Sequence, residues 1–410
     1  MDASSTCAVT GALRRDETIL RLGGIGDCWH MSWAADDRQF VSFCDGAGFD
    51  AQPQRFFNNR MCTITGGPAD ARFEDLPGYP DLVQDEVPRM EQGMTRYYGM
   101  GTLAIDGRVY LFLSAFKGPW GIDTPGLRFV GVKAIYSPDG GRTWCNQDGS
   151  SPVVWERWEQ MSRDTMLFLE EPQEAFSILT VLQMGKGYEA NRDAYVYVYA
   201  PNGNSDGTMN ELVMFRVPKQ RILDRDAYEY FAGLQADGSA SWSGDIDARA
   251  PIHTFPRGWV NTVTHPWAWS PSVVYNAPLG VYMMANWGTG STPEGMWFGA
   301  PSYLGLWTAP NPWGPWTQVH EETAWLPAGD PAARPYKPQI APKWIAEDGK
   351  SFWLVWTDFQ TVAGADFMAE FERFSAAGAA PAGIHPLAAI HRRLLPYYAF
   401  NAQRVDMSTG

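Results

Sequence analysis

Two carboxylates near the ends of one short hairpin are the first candidates for chemistry. Asp27 sits in Gly26-Asp27-Cys28-Trp29, and Asp45 in Cys44-Asp45-Gly46. The intervening turn, Ala35-Asp36-Asp37, centres on Asp36. In that register Asp27 faces Asp45 and Cys28 faces Cys44. Directly opposed strand residues hold their Cβ atoms about 5 Å apart. Like charges that close push their pKa values apart, which supplies one protonated acid and one ionised base. Glycosidases use such a pair, about 5 Å apart for retention and about 6.5–9.5 Å for inversion. The hairpin leaves the separation open, and an Asp beside a Gly also serves simply to close a turn.

A second group of residues falls on segments that lead into, or end, comparable hairpins. These are Arg96, Tyr98, Lys186, Glu189, His265, Trp267, Trp287, Lys337 and Asp358. Rings that stack on the apolar faces of sugars, mixed with charges that handle hydroxyls, are what a carbohydrate cleft requires. In this reading Arg96, Tyr98, Lys186, Glu189, His265, Lys337 and Asp358 hold the substrate, and Trp267 and Trp287 are stacking platforms. Glu189 and Asp358 have a plainer reading as partners of nearby cations. No nucleophile-elbow, Cys–His or phosphate-loop pattern occurs.

Five hairpins of similar design position these residues. They are Trp29–Trp33 with Gln39–Asp45, Met100–Ile105 with Val109–Ser114, and Tyr195–Ala200 with Glu211–Val217. Ser272–Tyr275 with Val281–Trp287 and Pro338–Ile345 with Ser351–Asp358 complete the set. Each is followed by enough chain for two further strands, which is the β-propeller plan. The expected fold is all-β, a five-bladed β-propeller occupying residues 1–410 as one domain. Its blades start near residues 27, 98, 194, 269 and 337. Ser137-Pro138-Asp139-Gly140-Gly141-Arg142-Thr143-Trp144 fits the Asp-box pattern of outer propeller turns, and Trp313-Gly314-Pro315-Trp316 reads as a rigid aromatic turn. Only Pro218–Phe231 and, more weakly, Ala363–Ala376 read as helical.

Composition excludes other classes. The 410 residues carry a formal charge of −14, with 19% charged residues and 14% aromatic. Duplex nucleic acid is not an expected partner, because phosphate neutralisation needs clustered Lys and Arg. No apolar run is long enough to span a bilayer as a helix. The start, Met1-Asp2-Ala3-Ser4-Ser5, shows no signal-peptide pattern. The chain is expected in the cytoplasm if Met1 is the native start, and outside the cell or on its surface if a signal has been trimmed. The five cysteines are odd in number and lack metal-ligand spacing. They are expected as packed thiols, with a Cys28–Cys44 cross-strand disulfide as the other reading. No metal or cofactor is expected, and nothing in the sequence supports a calcium ion in the channel.

Gly26-Asp27-Cys28-Trp29-His30-Met31-Ser32-Trp33-Ala34-Ala35-Asp36-Asp37, followed by Cys44-Asp45-Gly46-Ala47-Gly48-Phe49, resembles the opening of domain-of-unknown-function family 4185. Further matches follow in order at residues 59–68, 97–99, 193–201, 215–231, 307–316 and 338–358, so the resemblance spans about residues 20 to 360. Part of that family is glycoside hydrolase family 183, five-bladed propellers acting as endo-D-arabinanases. The resemblance implies hydrolysis by paired aspartates, and the matching positions are Asp27 and Asp45. Cysteines beside both aspartates, the segment 233–258 and the tail after Asp366 have no counterpart in that pattern. The expected function is therefore hydrolysis of a polysaccharide or oligosaccharide, an arabinan among the candidates. The rivals are a lyase acting on a uronate, with Arg96, Tyr97, Tyr98, Lys186 and His265 available, and a propeller that binds carbohydrate without cleaving it.

Overall fold

Runs such as Phe40-Val41-Ser42-Phe43-Cys44 and Val196-Tyr197-Val198-Tyr199-Ala200 are buried at every position. Branched and aromatic side chains suit a strand covered on both faces, and each sheet here lies between two others. The computed structural model describes residues 8–84, 95–117, 129–203, 210–256, 269–290, 298–360, 369, 373 and 381–410. The chain opens with β1 (Val9–Arg14) and β2 (Leu20–Arg21). Blade one is β3 (Ile25–Trp33), β4 (Gln39–Gly48), β5 (Phe57–Thr65), β6 (Arg72–Asp75) and β7 (Leu82–Val83). Blade two is β8 (Thr95–Ile105), β9 (Arg108–Lys117), β10 (Phe129–Ser137), β11 (Cys145–Asn146) and β12 (Phe168–Leu169). Blade three is β13 (Thr180–Val181), β14 (Tyr195–Pro201), β15 (Glu211–Pro218), β16 (Glu229–Leu234), β17 (Ala240–Ser243) and β18 (His253–Thr254). Blade four is β19 (Ser272–Asn276), β20 (Val281–Gly288), β21 (Ser302–Ala309) and β22 (Thr317–Trp325). Blade five begins with β23 (Pro335–Ile345) and β24 (Ser351–Asp358) and, after helix α1 (Pro386–Leu394), ends with β25 (Asn401–Thr409).

The five sheets form a five-bladed β-propeller. Strands β3, β8, β13, β19 and β23 are the innermost of their sheets and touch one another in ring order. Blade five closes the ring, because β1 pairs with β25, and β25 with β24, so both ends of the chain complete one sheet. His30, Thr102, Thr180, Gln183, Ser272 and Gln339 point into the channel, which encloses only about 10 Å³. That is room for about one water molecule.

Two expectations need correction. In blade three the hairpin of Tyr195–Ala200 and Glu211–Val217 is the second and third strands, and the innermost strand is Thr180–Val181. The blade thus starts near 180, not 194. A two-residue strand carries too little periodicity to be read, although Gln183 extends its edge by bonding Val273 and Tyr275 of β19. The segment Pro218–Phe231 is not a helix: it holds two 3₁₀ turns, Lys219–Arg221 and Arg225–Ala227, then enters β16. Of its apolar residues, Ile222 and Tyr228 pack into the core from the turns and Phe231 from β16. Most of Ala363–Ala376 lies outside the described residues. Helix α1 was not anticipated, although His385 caps it through Leu387 N and Pro386 opens it.

The Asp-box is an outer turn of blade two. Asp139 accepts from the backbone N–H of Arg142 (3.1 Å) and Thr143 (2.8 Å) and from the Thr143 hydroxyl (2.8 Å). This network delivers Trp144 to the interior, where its ring lies edge-on to Tyr79 of blade one at 5.2 Å. Asp139→Ala leaves those donors to water and should destabilise the fold by about 1–2 kcal/mol. A denaturant titration checks this, and an unchanged midpoint would refute the assignment.

Candidate active site at the mouth of blades one, two and five

From Trp33↔Gln39 to His30↔Ser42 the pairing of β3 with β4 follows the expected register. It then slips. A bulge lies between His30 and Asp27, so Asp27 pairs with Cys44, and Ile25 with Gly48. Cys28 (φ 59°) and Asp45 (φ 42°) adopt left-handed backbone conformations at the irregularity. Gly46 is required there, since a Cβ would stand 2.1 Å from the Ile25 carbonyl oxygen. Asp27 therefore does not directly oppose Asp45, and Cys28 does not directly oppose Cys44. The bulge re-aims both side chains, a common use of bulges beside functional sites. The two carboxylates still sense each other, for the charge on Asp27 helps to raise the pKa of Asp45.

Each carboxylate has its own surroundings. Asp27 Oδ2 accepts a 2.8 Å hydrogen bond from the Tyr336 hydroxyl. Burial raises the Asp27 pKa, while Lys337, the Cys28 thiol, Tyr336 and Tyr398 favour its charged form. Asp45 is held more loosely: Oδ1 lies 3.5 Å from Asn58 Nδ2 and 3.8 Å from Arg96 Nη1. Burial pushes Asp45 up to about 7, opposed by Arg96 and reinforced by Asp27. A proton shared by the pair thus settles preferentially on Asp45, whose donors are long, rather than on Asp27, whose donors are close.

The floor beneath them is built from several blades. Tyr336 and Lys337 come from the start of β23, and Lys337 takes a φ of 50°. Burial pulls the Lys337 pKa down, but Cys28 and Asp27 outweigh it, and the net shift is upward. The Lys337 ammonium therefore stays charged. Its Nζ also reaches Met100 Sδ at 3.5 Å. Tyr398, which follows α1, donates to the Asp45 carbonyl oxygen at 3.0 Å. Burial raises the phenols of Tyr98, Tyr336 and Tyr398, so all three remain protonated donors. Ile390 and Leu394 of α1 pack into the same apolar cluster as Ile25, Cys28 and Cys44.

The structure gathers Asp27, Asp45, Arg96, Tyr98 and Lys337 at this end of the channel. Arg96 Nη1 is 3.4 Å from the Tyr98 hydroxyl. Lys186 and Glu189 are at the opposite end. Lys186 pairs with Asp37 at 3.4 Å, in the turn that closes β3 and β4. The misplaced blade-three strand explains this: the loop after Thr180–Val181 leaves the far face. Asp358 ends β24 but is fully buried, and its Oδ1 accepts from the backbone N–H of Arg334 (2.7 Å) and Gln360 (3.0 Å). It clamps a loop and does not reach the surface. Trp287 is also fully buried, donating to the Trp269 carbonyl oxygen at 3.0 Å and packing beside Tyr336. It supports the floor and presents no stacking face. His265 and Trp267 lie outside the described residues.

Tyr336, Asn58 and Tyr398 are not among the substrate-binding candidates that the sequence offers. Tyr398 could be found only by recognising α1, because it sits in the tail with no family counterpart. Among the described residues, one group gathers metal-ligating atoms: Asp27, Cys28 and Cys44, within 4.8 Å of one another. Calcium takes all-oxygen shells, which two thiols do not offer. The cluster already holds a cation, since the Lys337 ammonium bonds Cys28. Cys28 and Cys44 are free thiols.

No family model and no curated protein matches the chain. Several solved structures with a similar course of the chain are glycoside hydrolases. A GH43_1 enzyme from Xanthomonas citri is 12% identical over 95% of this chain and 88% of its own, with a TM-score of 0.41. An α-L-arabinofuranosidase from Podospora anserina is 11% identical over 98% and 95%, with a TM-score of 0.40. A protein from Bacteroides ovatus is 14% identical over 94% and 87%, with a TM-score of 0.48.

Proposed function

We propose that this mouth hydrolyses a glycosidic bond in a polysaccharide or oligosaccharide. Asp45 would be the proton donor to the leaving oxygen, and Asp27 the ionised base or nucleophile. The observation that carries this is two interacting, part-buried carboxylates in unlike surroundings, Asp27 bonded at 2.8 Å by Tyr336 and Asp45 held only at 3.5 Å by Asn58 and 3.8 Å by Arg96. Glycoside hydrolysis needs one carboxyl group of each kind flanking the bond. Lys337 and Tyr336 favour the charged form of Asp27 against burial, and Arg96 limits how far the Asp45 pKa rises. Arg96 and Tyr98 would also hold hydroxyls of the sugar. The resemblance to family 183 makes a D-arabinan the first substrate to try.

The test is a panel of arabinans, xylans and uronate polymers, with products resolved by chromatography. Shortened saccharides with new reducing ends are expected. An unsaturated sugar absorbance would replace this reading with a lyase, and binding without any product would replace it with a lectin-like role. The anomeric configuration of the first product, followed by NMR, then decides between nucleophile and base for Asp27.

A pH dependence follows. Asp45 must be protonated to act, and its pKa is about 7. The kcat/KM should therefore fall as pH rises through about 7. Asp27 must be ionised, so activity also falls on the acid side. In Asp27→Asn the charge that raises Asp45 is gone, and the alkaline limb of any residual activity should move down in pH.

A further inference from the structure

The hydrolytic reading leaves one feature of the floor without a role. Both aspartates have a cysteine as chain neighbour, and the two thiols meet beneath them. Cys28 Sγ, Cys44 Sγ and an Asp27 carboxylate oxygen lie within 4.8 Å of one another. Cys28 is 2% exposed and Cys44 is fully buried. The Cys28 thiol donates to Asp27 and is in turn bonded by the Lys337 ammonium. It thus has a carboxylate beside it that can accept its proton and a fixed positive charge next to its sulfur. Cys62 and Cys145 lie elsewhere, in the core on β5 and on the outer strand β11.

We propose that Cys28 and Cys44 are an oxidisable dithiol, which a small peroxide converts to a disulfide that disarms the mouth. Peroxide is little larger than water and can pass beside the part-exposed Asp27, where a bulky disulfide could not. In the first step Asp27 accepts the Cys28 proton. The thiolate then attacks one peroxide oxygen, the O–O bond breaks, and the departing hydroxide takes up that proton as water. Cys28 is left as a sulfenic acid. In the second step Cys44 sulfur bonds to Cys28 sulfur, the S–O bond breaks, and the hydroxide leaves with the Cys44 proton as a second water. Two thiols lose two electrons, and one peroxide gains them.

The consequence for activity rests on the hydrolytic reading. An S–S bond is about 2.05 Å long, so the sulfurs must close together and draw β3 and β4 with them. Asp27 and Asp45 are the residues next in chain. A displacement of about 1 Å at such groups can cost about a hundredfold in rate. Turnover of the oxidised form should therefore fall at least about tenfold and return on reduction with dithiothreitol.

The test treats the full chain with a few equivalents of hydrogen peroxide, then maps peptides without reduction. A peptide pair joined through Cys28 and Cys44 is expected, and Cys62→Ala should still form it. In Cys44→Ser the second step is blocked, so a cyclic 1,3-diketone should trap a sulfenic acid on Cys28. Folded protein that yields no Cys28–Cys44 linkage would overturn the proposal, as would complete linkage with turnover unchanged. If no glycan is ever cleaved, the hydrolytic reading fails, while the linked peptide still decides whether the dithiol exists.

Discussion

Asp27→Asn and Asp45→Asn should each lower kcat/KM by about 10²–10⁴-fold on a cleaved glycan, the range that positioned acid–base groups contribute. Each exchange keeps the shape of the side chain while removing the proton chemistry. The two variants should differ in one respect. A substrate whose leaving group is already a stable anion, such as a nitrophenolate, needs no proton donor. Asp45→Asn should recover most of its loss on such a substrate, and Asp27→Asn should not. The double variant should be little worse than the poorer single one, because residues that act as a unit are far from additive. If both single variants keep normal turnover while folded, the assignment is wrong.

Asp45→Asn should also stabilise the protein. The folded pKa of Asp45, about 7, lies above its ordinary value of 3.8. Between about pH 4 and pH 7 the native state keeps a proton that the unfolded chain releases, so stability declines as pH rises through that window. Asp45→Asn removes the charge that burial opposes. Its side chain is 24% exposed, and solvent screening tempers the effect, so the expected gain at pH 8 is about 1–3 kcal/mol. A variant that is less active yet melts higher is the signature of a site whose strain serves function.

What the sequence could disclose of this architecture was set by range. Hairpins with tight turns are local, and four of the five hairpins fall on the first two strands of their blades. The third did not, because β13 has only two residues, too few to show the alternation of a strand. The pairing of Asp27 with Asp45 was legible as a neighbourhood but not as a register. The slip depends on Cys28 and Asp45 taking a left-handed backbone, which composition does not reveal for residues other than glycine. Lys186 inherited the error in blade three. Trp287 and Asp358 were placed at the correct end of their strands, but their burial depends on what other blades lay over them. Tyr398 reaches the site from more than 350 residues away, through a helix that no repeat predicts.

The second large effect should come from Lys337→Met. Methionine has a similar length and can keep the apolar contacts of the lysine stem. What disappears is the ammonium beside Asp27 and Cys28. Burial already raises the Asp27 pKa, and Lys337 is the foremost influence holding it down. Without that charge Asp27 should titrate at higher pH, and the acid limb of kcat/KM should move up. Because Asp45 loses its proton near pH 7, the two limbs then approach or cross. The window in which Asp27 is ionised and Asp45 protonated narrows, and peak activity should fall at least about tenfold. Stability should respond with the same sign of pH dependence. Where Asp27 stays ionised, an unpaired buried carboxylate costs about 3–5 kcal/mol, and protonation at lower pH relieves it. Lys337→Met should therefore lose most stability above neutrality and approach the parent protein in acid. Lysine acting only as a sugar ligand predicts something different: a raised KM, an unmoved acid limb, and no pH-dependent loss of stability. Melting curves and pH–rate profiles of the variant, measured side by side, separate the two roles.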